Sequence, residues 1–177
     1  IKSIKIKDGK VQYIDGKEKT EIEDIDLSLD IEHLQGPIHF DLGLKVFDET
    51  LNFEGTLKEI GNQIPLMTQI TGLDVKVGFE GVVDLKAQNV KGEIKSSGRL
   101  SRLKKLLPGV KFPETLKETF KASVNVSATS DKISLDDLEL NLAPLQARGS
   151  VVFDLKKAEG SLKLDLTPGS VHVEVRP

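Results

Sequence analysis

The sequence contains no cysteine, which excludes thiolate catalysis, disulfides and zinc–thiolate sites. That absence leaves the compartment open, because many exported proteins do without disulfides. Tryptophan is missing too, and one tyrosine and seven phenylalanines are all the aromatics, too few for a platform on which nucleic-acid bases stack. The formal net charge is −3 and the pI about 5.7, so there is no basic footprint and no nucleic acid is expected as a partner. No stretch approaches the roughly 18 apolar residues of a membrane-spanning helix, and no secretory leader is visible. The phosphate-loop, dinucleotide, nucleophile-elbow and calcium-loop patterns are all missing. The three histidines, His33, His39 and His172, are dispersed, and a metal centre needs at least three convergent ligands. His39 alternates with Ile38 and Phe40 and is expected to face solvent. No catalytic residue, metal or cofactor is therefore expected, and the chain is read as a non-enzyme.

What is present is alternation. Apolar residues make up 38% and charged residues 30% of the 177 positions, a folded pattern with many solvated sites. The apolar residues recur at every second position. Ile25, Leu27, Leu29 and Ile31 share one parity. Ile38, Phe40, Leu42, Leu44 and Val46 follow on the other after Gly36-Pro37. Leu73, Val75, Val77, Phe79, Val83, Leu85 and Ala87 hold one parity throughout and read as one very long strand. Short Gly-, Asp- or Pro-bearing connections are expected at Asp8-Gly9, Asp15-Gly16, Gly36-Pro37, Gly72, Glu159-Gly160 and Pro168-Gly169. The pattern predicts an antiparallel meander with one apolar and one polar face.

One phrase occurs twice. Residues 22–42 read IEDIDLSLDIEHLQGPIHFDL and residues 135–155 read LDDLELNLAPLQARGSVVFDL. Aligned without a gap, they share Asp24/Asp137, Leu27/Leu140, Leu29/Leu142, Gly36/Gly149, Phe40/Phe153 and Leu42/Leu155. The period is too long for a solenoid, so the phrase is read as a hairpin unit reused near each end of a single module spanning 1–177. In both copies the apolar spacing slips by one residue, at Glu23-Asp24 and at Asp136-Asp137. A β-bulge would do this, and so would two short strands with an Asp turn between them.

Three segments break the alternation. Leu100, Leu103, Leu106 and Leu107 are spaced for one helical face among basic residues, ended by Pro108-Gly109. Pro113 suits the start of a second short helix carrying Leu116 and Phe120. Gly61 to Ile70, with Pro65, reads as irregular. All three are expected to cap or plug a curled, mainly β sheet. Leu100, Leu103, Lys104 and Leu107 are candidates for a lid or for contact with a membrane surface.

In order and spacing, the motifs resemble the AsmA-like family of bacterial envelope proteins. Ile4 to Asp15 looks like that family's opening "v-x-I-x-n-G-x-v-x-Y-x-d" strand. Ile22 to Leu29, Phe40 to Leu44, Gly55 to Ile70, Phe79 to Leu85, Ile133 to Leu142 and Gly149 to Leu155 follow in family order. The resemblance covers nearly the whole chain, and its individual motifs are degenerate. It implies a β-groove or taco-like sheet related to bridge-like lipid-transfer proteins. It further implies a periplasmic location with an inner-membrane anchor outside this chain, and a part in outer-membrane biogenesis. The implied partner is a phospholipid or another acyl-chain lipid, and no catalytic residue carries over. The chain starts at Ile1 and is read as a section of a longer protein. Leu27, Leu29, Phe40, Leu42, Phe53, Val75, Val77, Phe79, Leu140, Leu142, Phe153 and Leu155 are the residues expected to line the lipid groove. The competing reading is a ligand-free structural or interaction module, with a second sheet closing the apolar face into a sandwich.

Overall fold

A computed structural model describes residues 2–15, 18–46, 49–100, 119–167 and 170–175, with side chains described for 2–12, 22–45, 49–100 and 119–167. The elements are β1 (Ser3–Asp15), β2 (Glu18–Ile31), β3 (Ile38–Val46), β4 (Glu49–Leu57), β5 (Gln63–Gly72), β6 (Val75–Asp84), β7 (Asn89–Arg99), β8 (Thr119–Thr129), β9 (Lys132–Leu142), β10 (Leu145–Asp154), β11 (Glu159–Thr167) and β12 (Ser170–Val175). All twelve lie in one sheet in sequence order, each pairing antiparallel with the next. The expected meander is the fold. It does not close into a barrel: β1 and β12 are its two edges.

No strand makes a substantial contact except with its sheet neighbours. The fold is therefore one layer, and the surface area says the same. The chain exposes 12564 Å², against about 8,500 Å² for a compact protein of its 19.4 kDa. Among the described residues, the buried apolar ones are Leu100, Phe120, Leu142 and Ala147. Leu100, Phe120 and Leu142 pack together, with Val75 and Leu140 against them. No second sheet lies over the apolar face among the described residues, so the chain is not a sandwich.

The repeated Asp pair resolves as β-bulges. In β2, Asp26 and Glu23 pair with Gly43 and Lys45, so three steps face two. In β9, Leu138 and Leu135 pair with Gly149 and Val151 with the same mismatch. Asp24 and Asp137 carry the kink, with φ of 50° and 52°. Aspartate enters the left-handed region more readily than most residues because its short polar side chain can bond locally. Asn125 Nδ2 donates to Asp137 Oδ2 at 3.0 Å. Asp8, expected with Gly9 as a connection, is instead a third such kink inside β1, with φ 52°. Its N–H donates to Asp26 Oδ1 at 3.0 Å.

Other expectations are corrected. The gapless repeat holds for β2 and β9 but not for the strands that follow. A long turn, 32–37, leads into β3, whereas only Ala143-Pro144 separates β9 from β10. Gly36 thus sits in a turn with φ 103°, while Gly149 sits in β10 opposite Leu138 and Leu164. Because strands alternate in direction, β2 and β9 also run oppositely, and five strands separate β3 from β9.

The long strand expected over 73–87 is only Val75–Asp84. Leu73 and Asp74 both have φ 55°, the signature of a tight hairpin turn matched to sheet twist. Asp84 Oδ1 accepts the Ala87 N–H at 2.7 Å and closes the next turn. Apolar parity simply runs on through Leu85 and Ala87.

The stretch 61–70 is not an irregular plug; most of it is β5. Pro65 is accommodated because its carbonyl accepts from Lys58 N at 3.0 Å. Its missing N–H therefore points to the same side, just beyond the last residue of β4, where the ladder has ended. Phe120, expected on a short helix, belongs to β8. Both expected helices otherwise fall in 101–118, outside the described residues.

Candidate functional site

Residues paired across neighbouring strands share a face, so the register sorts the side chains. One line runs Ile6, Leu27, Leu42, Phe53, Ile70, Val77, Ser96, Ala122, Leu140, Ala147, Leu166. It crosses β1 through β11, about 48 Å at ~4.8 Å between strands, and Ser96 is its one polar member. A second line runs Leu29, Phe40, Gly55, Thr68, Phe79, Ile94, Val124. A third runs Ile31, Ile38, Leu57, Leu66, Gly81, Gly92, Val126, Leu135, Val151, Leu162. Most side chains on these lines are half-buried, shaded by their neighbours on the sheet; among the described residues no strand contacts any but its sheet neighbours to a substantial extent.

The sequence-expected groove residues fall on this one face. Leu27, Leu42, Phe53, Val77 and Leu140 share the first line. Leu29, Phe40 and Phe79 share the second. Phe153 lies on a fourth with Ile133 and Gly160. Val75 and Leu142 lie at the buried cluster. Leu155 is the exception: it lies past the end of β10, in the turn, and is exposed. Leu100 is the buried centre of the cluster, while Leu103, Lys104 and Leu107 lie outside the described residues.

Sequence reading missed Leu66 and Ile70, because Pro65 disguised their strand. It also missed the glycine pair Gly81 and Gly92, which face each other directly. A Cβ on Gly92 would lie 2.6 Å from Phe79 Cε2 and 2.7 Å from Gly81 Cα. The Phe79 ring therefore lies down over bare backbone. Phe40 over Gly55 and Phe153 over Gly160 repeat the arrangement. The rings cover the sheet without standing up from it, which keeps the apolar face low along its middle.

The opposite face is polar. Its central line is Ser28, Asp41, Glu54, Gln69, Gly78, Lys95, Ser123, Glu139, Arg148, Asp165. Arg148 Nε meets Glu139 Oε1 at 3.2 Å, and Lys95 Nζ meets Glu93 Oε2 at 2.8 Å. The Glu93 carboxylate holds the Lys95 ammonium above its usual range. Two hollows of about 540 and 490 Å³ open on this side. The first is lined by Asp41, Glu54, Glu80 and Lys95 among others, and the second by Lys76, Lys95, Lys121 and Glu139 among others.

His39 is exposed on this face as expected. Its Nδ1 is 2.9 Å from Thr56 Oγ1, and its Nε2 is 3.7 Å from Glu32 Oε1. Among the described residues, no three His, Asp or Glu side chains gather closely enough to hold a metal ion. Among the described residues, no side-chain polar atom is buried without a partner.

The arrangement can do one thing well. It presents a broad apolar surface on one side of the sheet and a charged, solvated one on the other. No family model, curated protein or solved structure matches the chain.

Proposed function

We propose that this sheet carries lipid: acyl chains of a phospholipid, or of a similar lipid, lie along its apolar face. The observation that supports this is the face itself, apolar across β1 to β11 and, among the described residues, uncovered and with almost no buried core. Exposed apolar patches beyond a few hundred Å² mark sites of association. Each acyl methylene removed from water contributes about 0.8 kcal/mol, so a single chain along one line is a substantial ligand. The one-layer meander is also the sheet type that resemblance to the AsmA-like family implies. On this reading the chain is a non-enzymatic, periplasmic segment in outer-membrane biogenesis, tethered to the inner membrane elsewhere in the full protein.

The test is native mass spectrometry of protein purified without detergent. Co-purified phospholipid is the expected result, with its occupancy abolished by Val77→Asp while the far-ultraviolet β signal remains. A lipid-free wild-type protein that also takes up none from labelled vesicles would refute the proposal.

A further inference from the structure

In a strict meander every second turn falls at the same end of the sheet. The turns after β2, β4, β6, β8 and β10 therefore form one end. Four of them each display a large apolar residue in water: Leu34 is 90% exposed, Ile60 38%, Leu85 56% and Leu155 43%. Isolated exposed leucines need no explanation. One on each of four separate turns, at one end, does.

Three of these residues, Ile60, Leu85 and Leu155, are also held in place. Ile60 N donates to Gln35 O at 2.7 Å, Leu85 N to Asn62 O at 2.8 Å, and Leu155 N to Asp131 O at 2.8 Å. In each case the exposed apolar residue is the donor, and the acceptor belongs to the preceding turn at that end. The turns after β2, β4 and β6 are thereby laced in a row, and those after β8 and β10 to each other.

Two of them are built alike, as Asp84-Leu85-Lys86 and Asp154-Leu155-Lys156. Asp84 Oδ1 accepts from Ala87 N at 2.7 Å, and Asp154 Oδ1 from Lys156 N at 3.0 Å and Lys157 N at 3.1 Å. The side-chain oxygen fixes the turn so that the leucine following it projects. Both leucines also continue the parity of the apolar face, two residues beyond Val83 and Phe153. An amphiphile moving onto the face from this end meets apolar side chains at the threshold.

We infer that this end is a rim that docks on a lipid bilayer, with Leu34, Ile60, Leu85 and Leu155 entering the interfacial region. The inference rests on the lipid-carrying reading, in that the rim is continuous with that face. The occupant is a bilayer, not an anionic surface specifically, because the rim's charges are balanced. Lys156 Nζ meets Asp131 Oδ2 at 2.6 Å, and Lys157 Nζ lies 3.8 Å from Asp154 Oδ2. Lys58 stands beside Glu59, and Lys86 follows closely on Asp84. Apolar insertion, not charge, drives the contact.

The chain has no tryptophan, so single Leu34→Trp and Leu85→Trp variants report on the rim without background. With phosphatidylcholine vesicles, both should shift emission to the blue and float with the vesicles, at low and high salt alike. Val82→Trp, on the polar face opposite Lys91, should not shift. Leu34→Ser combined with Leu85→Ser should lower the vesicle-bound fraction by about 100-fold, roughly tenfold for each leucine. That double variant should keep the lipid occupancy seen by native mass spectrometry. Any of three results overturns the inference: no flotation of the wild type, an equal shift at Val82→Trp, or a blue shift without vesicles that grows with protein concentration. The last would make the rim a contact between copies of the chain. A wild type that carries lipid yet ignores vesicles refutes the rim alone. A wild type that floats yet never holds lipid refutes the carrying face alone.

Discussion

Val77→Thr distinguishes an uncovered apolar face from a covered one. The substitution keeps volume and β-branching and adds a hydroxyl, so its cost depends on what lies above the side chain. Val77 is half-buried in the middle of the first line, directly opposite Ile70 and Ser96. A serine hydroxyl already sits on that line, and Thr68 on the next. Neither leaves a buried polar atom unsatisfied, as expected of a face that water reaches in the free protein. In lipid-free protein, Val77→Thr should then change the unfolding free energy by less than about 0.5 kcal/mol, because threonine is also a good strand former. Under a second layer the unpaired hydroxyl would cost about 1–3 kcal/mol. Leu142→Ala supplies the contrast. Leu142 is buried against Leu100 and Phe120, so its truncation should cost about 2–4 kcal/mol. Urea unfolding followed by circular dichroism, on delipidated protein, measures both. A loss above about 1.5 kcal/mol for Val77→Thr, with an unchanged m-value, would refute the claim that the face is bare.

Three further outcomes are expected. At the β9 bulge, Asp137→Val should destabilise by about 2–3 kcal/mol, since a branched side chain resists φ near 52° and the bond from Asn125 is lost; Asp137→Gly should cost less than about 1 kcal/mol in the same urea assay. Gly92→Val should lower stability by about 1–3 kcal/mol through overpacking and lift the Phe79 ring from the sheet, so bound lipid measured by native mass spectrometry should fall in parallel. Thermal melts should be flat from about pH 5 to 9 and decline at both extremes. On the acid side, Asp84 is held below its ordinary value of 3.8 by the Ala87 N–H and the Gln63 amide, and Asp131 by the Lys156 ammonium and the Ser130 hydroxyl. Their stabilisation is present above 3.8 and lost as pH falls through the lower folded values. Lys156 and Lys95 are raised above 10.5 by Asp131 and Glu93, so theirs persists below 10.5 and is lost above it. All four are solvent-screened, so both declines should be shallow.

Much of the face was legible before any coordinates. Side chains alternate across a strand by geometry alone, so Leu27 and Leu29, or Val75, Val77 and Phe79, had to share a side once they were in strands. The slips at Asp24 and Asp137 were visible as a one-residue break in that period. Position was harder to read. Leu155 fits the strand parity as well as Phe153 does, yet it lies in a turn, because Asp154 caps the turn with its carboxylate. Ile70 and Leu66 were hidden behind Pro65, whose tolerance depends on where the neighbouring strand β4 stops. The resemblance between residues 22–42 and 135–155 is real in β2 and β9. It fails beyond them, because turn length sets register and the two turns differ.

By itself, the sequence determined the alternation and its two unlike faces, because these follow from the two-residue period; the breaks at Asp24 and Asp137 stayed open between a bulge and a turn until the strand register resolved them. The sequence also shows which residue types are absent, cysteine and tryptophan among them. Whether the apolar faces met each other was decided only by the tertiary structure. The same alternation can close into a sandwich or stay open, and the difference lies in which strands pair. Here every strand pairs with its sequence neighbour, so among the described residues one face of the sheet is left without a protein partner.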